Sequence, residues 1–488
     1  MSTGAVFTLL VNDGQQDKML MATELLNTRL ADISRARCKD PSIARKTPTL
    51  VDIERTHVFF VSAHFKPFVA TAYEYNKISA TEGVYNYGNT ITYSIPQFGD
   101  FFNDMVVHVK LQGLKPGPLS QQVKYHDFPG HRIFKRVSFE VNECKLDEYT
   151  RDSYNMHYNF AVSENKKRAW KRCMGQEEPE IAYLTQNPLI DEYREVKQIT
   201  CGAQTPKSSH ENLDLWIPLL FWFNLDTRLS IPSVSIPYGQ RFIRMDICDA
   251  SDICTGIPTS DFTEPKILLM DLYINNIFVN PEIHDIFIER IGFYLIRVHK
   301  EQKQIINENQ GNIKMDSLKF PIETLYVAAR PSINFPDDFC KYTFVKNNSI
   351  SFPVAVPNPA PAPPQNLLAF SFASWKQQSP IMTELGINIT GIELWKPTLA
   401  SFFSDYTAYN FGEGFSSPDP GVYIIPFNLY PGMLQPSGHI NVSRTREFYL
   451  SYKAPSISSI FTADLFILGI AINFLLISEG KAFLRYNV

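Results

Sequence analysis

The chain is poor in anything that would mark a reaction. No Gly-Lys is followed by Ser or Thr anywhere in the 488 residues, so no phosphate loop of the usual kind is available to cradle a nucleotide. There is no Gly-x-Ser-x-Gly and no His-Glu-x-x-His, which removes the local signatures of a nucleophile elbow and of a zinc protease. Gly412-Glu-Gly414 lacks the third glycine of a dinucleotide fingerprint, and no helical pattern comes after it. The absence of any His-x-His argues against a metal-binding cupin. Seven cysteines are scattered without a Cys-x-x-Cys, which leaves neither a zinc ribbon nor a thioredoxin-type dithiol. Charge of one sign is also missing. The 46 Lys and Arg against 50 Asp and Glu give a net charge of −4, hence no global field for nucleic acid or an anionic membrane.

The residues that could still carry chemistry have plainer explanations. His126, Asp127 and His131 have the right types for a metal, but Pro129-Gly130 between them reads as a turn. Glu177-Glu178 and Asp337-Asp338 fall in polar stretches and are read as solvated pairs. Only Cys248 and Cys254 lie close together. No bridge is expected there, because the first residues do not read as a secretion signal and a reducing compartment is implied. The sequons at Asn347, Asn388 and Asn441 would stay silent in that setting. The chain is therefore expected not to be an enzyme, with no catalytic, cofactor-binding or metal residues and no cofactor.

Aromatics are abundant, with 36 Phe, 23 Tyr and 5 Trp, and proline is raised at 33. That composition favours strands joined by irregular loops. Residues 13–37 carry Met19, Leu20, Leu25, Leu26, Leu30 and Ile33 at helical spacing, and eight Lys/Arg face seven Asp/Glu through residue 55. A genome-binding arm would be strongly basic, so residues 1–55 read as a packing arm or as a cap on the first domain.

From residue 57 the period becomes two. Ile91, Tyr93 and Ile95 alternate with polar residues; so do Met105, Val107, Val109 and Leu111, and Val137, Phe139 and Val141. Leu213–Phe223 is the longest such run. Pro116-Gly117-Pro118, Pro129-Gly130 and Pro237-Tyr-Gly239 punctuate them. The pattern recurs in Ile291–Val298, Thr324–Ala328, Leu367–Ala373, Ile387–Trp395, Val422–Phe427 and Ile440–Tyr452. Many short strands with Pro/Gly turns predict antiparallel sandwiches. Two sets of about eight fit two jelly rolls in series, with expected bounds 56–285 and 286–488 and a link near Pro281–Phe287.

Three stretches need a decision. Phe352–Pro364 holds six prolines and is expected to be a stiff, extended surface loop. Trp216 and Trp222 lie opposite the Leu/Ile/Phe row of their run, which is too apolar to face water and is expected to be buried on both faces. Residues 458–478 approach a membrane span in length and hydrophobicity, but Asp464 and Asn473 would be costly in hydrocarbon. Gly469 and the β-branched residues suit strand–turn–strand or two buried strands, with Ala471–Ile477 buried.

Several segments, in order, resemble one family. They include His64-Phe-Lys-Pro-Phe68, Ile95-Pro-Gln-Phe-Gly-Asp-Phe-Phe102, Phe128-Pro-Gly-His-Arg132, Leu215-Trp-Ile-Pro218, Phe221-Trp-Phe-Asn224, Ile231–Gly239, Leu272-Tyr-Ile-Asn-Asn276, Leu295–Lys300, Gln435–Tyr449 and Ile472–Tyr486. The wording resembles the major capsid proteins of nucleocytoplasmic large DNA viruses, nearest to the African swine fever virus type. The resemblance implies an all-β double jelly roll, two eight-stranded antiparallel β-sandwiches in series behind an N-terminal helical or extended arm. It implies a homotrimer forming pseudo-hexagonal capsomers, which tile an icosahedral shell assembled in viral factories of the host cytoplasm. Partners would be the chain itself and neighbouring capsomers, minor capsid and penton proteins, and the inner viral membrane beneath the base. No direct nucleic-acid binding is expected, and a long non-local β chain implies a folding chaperone. The family commonly has an Asn-Gly turn where this chain has Asn142-Glu143-Cys144, so the sequence signal for a type I′ turn is weaker there. A minor capsid or spike protein of similar fold and a carbohydrate-binding β-sandwich are the competing readings.

Overall fold

A computed structural model describes residues 72–176, 204–236, 240–279, 292–355, 368–411, 417–433, 435–478 and 481–486. The expected arm, Glu177-Glu178, the link near residue 285 and most of the proline run lie outside these residues.

Eight strands build the first sandwich: β1 (Ala72–Ser79), β2 (Thr90–Ser94), β3 (Phe101–Leu111), β4 (Phe134–Val141), β5 (Cys144–Thr150), β6 (Leu213–Pro218), β7 (Arg241–Ile247) and β8 (Ile267–Phe278). They pair antiparallel as β1-β8-β3-β6 in one sheet and β2-β7-β4-β5 in the other. Eight more build the second: β9 (Gly292–Ile306), β10 (Gln310–Lys314), β11 (Pro321–Pro331), β12 (Glu384–Ile389), β13 (Ile392–Leu399), β14 (Val422–Pro426), β15 (Phe448–Lys453) and β16 (Ala463–Ser478). Their orders are β9-β16-β11-β14 and β10-β15-β12-β13. Adding eight to each number of the first roll gives the second, so the duplication is topological although no sequence repeat betrays it.

The period of two explains the cores. Met105, Val107, Val109 and Leu111 are fully buried, while Asp104, Val106, His108 and Lys110 between them stay partly open. Alternate side chains of a strand face opposite ways, so this one row fills the sandwich. Ile91, Tyr93, Val137, Phe139, Ile243 and Met245 meet it from the other sheet.

The repeat extends to the turns. Asn142 (φ 51°) and Glu143 (φ 62°) link β4 to β5, and Thr390 (φ 50°) and Gly391 (φ 81°) link β12 to β13. Two left-handed residues in a two-residue loop make a type I′ hairpin. The turn therefore forms at Asn142-Glu143 without the glycine that sequence reasoning asks for. It also splits Ile387–Trp395, expected to be one strand, into two. Near the turn both hairpins skip one residue of the outer strand, Leu146 in β5 and Leu394 in β13, and the second hairpin shifts register again between Ile387 and Leu385.

Residues 458–478 resolve into one strand, not two. β16 pairs with β9 on one side and β11 on the other, and most of its residues are buried on both faces. Gly469 is no turn. A Cβ there would stand 3.2 Å from Leu318 Cδ2 and 3.4 Å from Leu325 Cδ2, so the glycine makes room for leucines of the core. Asn473, fully buried, donates to the Tyr486 carbonyl (2.8 Å) and accepts from its N–H (3.1 Å), which removes the cost of a polar group in an apolar strand. The run Leu213–Phe223 also breaks: after Pro218 the chain turns into a short helix, Trp222–Leu225. Gln435–Tyr449 is mostly loop, with a two-residue strand at Ile440–Asn441 against Pro321 and Ile322 before β15 begins at Phe448.

Two helices escaped the sequence reading: α1 (Arg151–Phe160) and α2 (Glu164–Cys173). Both lie in the long connection between β5 and β6. α2 was legible, since Ser163 precedes a run of Glu, Lys, Arg and Ala. α1 was not. Its Tyr, Asn and His residues are poor helix formers, and tertiary burial holds it.

Candidate functional site

Among the described residues no group of three or more His, Cys, Asp or Glu is placed to hold a metal, and no helix is long and apolar enough to cross a membrane. His131 is fully buried, 2.9 Å from Asn155 Oδ1, and accepts the indole N–H of Trp170 at 2.9 Å. His126 is also buried and stands 2.9 Å from Asp337 Oδ1. The two histidines thus stand in separate surroundings and do not converge. Asp338 pairs with Lys341, and Asp337 with Lys124 as well. Cys248 and Cys254 are free and buried.

The molecule's concentrated chemistry lies where the rolls meet. α1 leaves β5 of the first roll and lies on the outer face of the sheet β9-β16-β11-β14. Met156 and Phe160 pack there against Ala328, Val422, Ile424, Phe466 and Leu468, with the Phe160 ring 4.9 Å from Tyr326. This cover is why the strands of that sheet are apolar on both faces. Phe160 alone contributes about 2–3 kcal/mol through burial.

Polar groups lock the same contact. The Glu301 carboxylate on β9 accepts from the Thr150 N–H (2.9 Å) and hydroxyl (2.6 Å) and from Ser153 Oγ (2.5 Å). The second roll thereby places a negative charge at the start of a helix from the first. Asp152, in the first turn, receives Lys303 Nζ at 2.6 Å and Arg330 Nη1 at 3.0 Å. Burial pushes its pKa up, but the two cations outweigh this and hold it below the usual carboxylate range. Asp147 of β5 accepts from the His299 N–H at 2.8 Å and from its ring Nδ1 at 2.9 Å. Burial lowers the pKa of His299, yet Asp147 overcomes this and leaves it raised.

Arg132 is the centre of the lock. It is 1% exposed, and its guanidinium donates to the carbonyls of Asp127 (2.7 Å), Asp252 (3.1 Å), Pro336 and Asp337 (3.0 Å). Those carbonyls belong to loops of both rolls. The Phe339 ring lies 5.1 Å from the Arg132 guanidinium, 5.0 Å from that of Arg151 and 4.2 Å from that of Arg330, so one phenyl group serves three cations. A cavity of about 370 Å³ opens beside it, lined by Arg151, Asp152, Lys303, Arg330, Phe335 and Phe466 among others. Sequence reasoning missed this junction because none of its residues forms a local motif.

Other surfaces are apolar and open. Trp222 is buried as expected, but Trp216 is 39% exposed and stacks on His108 with ring centroids 4.1 Å apart. The expectation of burial fails for Trp216, because none of the described residues covers that face of β6. Tyr73 and Tyr75 on β1, Ile392, Leu394 and Leu399 on β13, and Tyr406 and Tyr409 after β13 are also exposed.

Comparison with known proteins gives a consistent result. Residues 65–280 match a family model described as "Major capsid protein N-terminus", and residues 278–482 match "Large eukaryotic DNA virus major capsid protein". The chain is 31% identical to "Hexon protein p72" of African swine fever virus (strain Badajoz 1971 Vero-adapted), with all of both chains covered. It is 21% identical to the "Major capsid protein" of Paramecium bursaria Chlorella virus 1, covering 77% of this chain and 78% of that one. Among solved structures, the "Faustovirus major capsid protein" superimposes with a TM-score of 0.75 at 33% identity, over 95% of this chain and 99% of that one.

Proposed function

The chain belongs to the major capsid proteins of large eukaryotic DNA viruses, and from that premise we propose that three copies close into a pseudo-hexagonal capsomer that tiles an icosahedral shell. Its role is structural: it builds the capsid of the virion. The observation that carries the trimer is the internal repeat. Each chain supplies two rolls of identical strand order, so three chains supply six similar blocks, enough for a hexagonal outline from threefold symmetry. The work of such a protein is done by packing, in keeping with a buried junction that spends its charged groups on holding two rolls together. Neighbouring capsomers, minor capsid and penton proteins, and the inner membrane beneath the base complete the proposed partners. Assembly in a cytoplasmic viral factory, with a chaperone for the non-local strands, completes the proposed setting.

Light scattering on purified chain, with negative-stain microscopy, tests this. Three chain masses and six-lobed rings are expected. A stable monomer at micromolar concentration, or one that binds glycans, overturns it.

A further inference from the structure

We propose that the cavity at the junction binds a small phosphomonoester. Its phosphate is taken by Arg330, Arg151, Lys303 and the Asp464 carboxylate, and its organic body by the apolar walls. The site is independent of how many copies assemble.

The basic side is built and left open. Arg330 on β11 lines the cavity and is 6% exposed. Both hydrogen bonds of its guanidinium leave from Nη1, to Asp152 Oδ1 at 3.0 Å and to the Phe339 carbonyl at 2.9 Å. Nε is buried and has no partner among the described residues. Nε lies on the same edge of the guanidinium as Nη2, the edge with which arginine takes an oxyanion through two parallel bonds. A buried N–H left unmade is costly, and an oxyanion in the cavity removes that cost. Arg151 and Lys303 line the same cavity with donors to spare. Among the described residues Arg151 donates once, to Asp252 at 2.7 Å, and Lys303 once, to Asp152 at 2.6 Å.

Asp464 narrows the choice of anion. It lines the cavity too, opposite Arg330 across β16 and β11 and opposite Ile305 across β16 and β9. Asp152 is held by both Lys303 and Arg330, whereas the Asp464 carboxylate has no ion pair among the described residues. A fully ionised sulfate or carboxylate would accept from the three cations and leave Asp464 facing a like charge. A phosphomonoester keeps a proton up to its second pKa of about 6, so it accepts from the cations and donates to Asp464. The remaining walls are apolar. The Phe335 ring lies 5.4 Å from the Arg151 guanidinium and the Phe466 ring 5.4 Å from Lys303 Nζ, so rings adjoin the cations. Ile305 and Phe335 are exposed where they line the cavity. A volume of about 370 Å³ is that of a small-molecule site, with room for an organic body beside the phosphate. Arg151 sits on α1 and the other ligating groups on the second roll, so a bound ester ties the rolls together.

Titration calorimetry on the full chain at pH 6 tests this, with phenyl phosphate, phenyl sulfate and inorganic phosphate as probes. Phenyl phosphate should saturate at one per chain and raise Tm with its concentration. It should bind about tenfold more tightly than phenyl sulfate, the worth of a hydrogen bond to a charged group. Asp464→Asn breaks no ion pair and should erase that preference. Lys303→Met leaves Asp152 its bond to Arg330, and should weaken both esters by about tenfold. Lys135→Met, at an exposed ion pair with Asp249, should leave binding unchanged. No saturable uptake, equal affinity for the two esters, or unaltered binding by Lys303→Met would overturn the site. Inorganic phosphate binding as tightly as phenyl phosphate would overturn the ester assignment, because the apolar walls would then contribute nothing.

Discussion

The two type I′ hairpins allow a prediction whose sign is fixed by backbone geometry. Glu143 holds a left-handed φ of 62° and Thr390 one of 50°. Left-handed backbone costs an L-residue roughly 1–2 kcal/mol, and Asn and Gly far less. Glu143→Gly and Thr390→Asn each convert the loop to the sequence Asn-Gly, the dipeptide this turn favours. Both side chains are exposed. Glycine returns about 0.5–1 kcal/mol of the gain through its unfolded-state entropy. Glu143→Gly should therefore stabilise by about 0.5–1 kcal/mol, and Thr390→Asn by about 1 kcal/mol. For a cooperative unit of one roll's size, that is a rise in Tm of roughly 2–4 °C per kcal/mol. Gly391→Ala is the opposing control. A Cβ there meets nothing within 4 Å, so its loss of about 1–2 kcal/mol would be backbone strain alone. Scanning calorimetry, with urea midpoints as a second measure, reads all three. If Glu143→Gly lowers Tm, only the entropy cost of glycine is being seen and the left-handed turn is wrong.

The junction yields three further outcomes. Arg132→Met removes a buried cation and orphans carbonyls of both rolls, and should cost about 3–5 kcal/mol; limited proteolysis of the loops around Asp252 and Asp337 should accelerate with it. Phe160→Ala empties the contact between α1 and the second roll and should lower stability by about 3–5 kcal/mol, seen in urea melts. Acid should loosen the molecule. Burial lowers His131 to about 3 and His126 to about 4, so the unfolded chain takes up protons that the fold resists. Their stabilisation is complete above about pH 6.5 and declines below it, by about 3 kcal/mol each at pH 4. Asp152, held low by Arg330 and Lys303, adds a further loss once pH drops below the ordinary carboxylate range. His299 runs the other way, with its contribution present below about pH 6.5 and lost as pH rises through its raised value. A Tm–pH profile that is flat from 6.5 to 4, or unchanged by His131→Gln, would contradict this assignment.

Strands were legible in the sequence wherever one face is buried. Met105–Leu111 and Val137–Val141 announce themselves because water lies on one side and core on the other. Ala471–Ile477 could be read as buried strand because Asn473 makes a membrane costly. What failed was everything decided by a distant neighbour. Gly469 looks like a turn until Leu318 and Leu325 are seen to need its space. α1 looks like coil because its helicity depends on Glu301, about 150 residues away. Trp216 looks buried because the run around it is apolar, but composition does not say which chain does the burying. The junction was invisible for the same reason: Arg132, Asp152, Glu301 and Phe339 are ordinary residues until the fold gathers them.

The position of β16 has a consequence for the timing of synthesis. It is an inner strand of its sheet, and it forms part of the floor on which Met156 and Phe160 rest. It is also made long after the whole of the first roll. α1 is made some 300 residues earlier and must wait, its start uncapped until Glu301 arrives and its underside bare until residues 463–478 arrive. A chain cut short between β8 and β16 keeps every strand of its first roll but lacks part of the floor for α1 and an inner strand of the second. Such a fragment lacks a finished second roll to offer a neighbour, so the strand that completes the fold should also keep truncated products out of a shell.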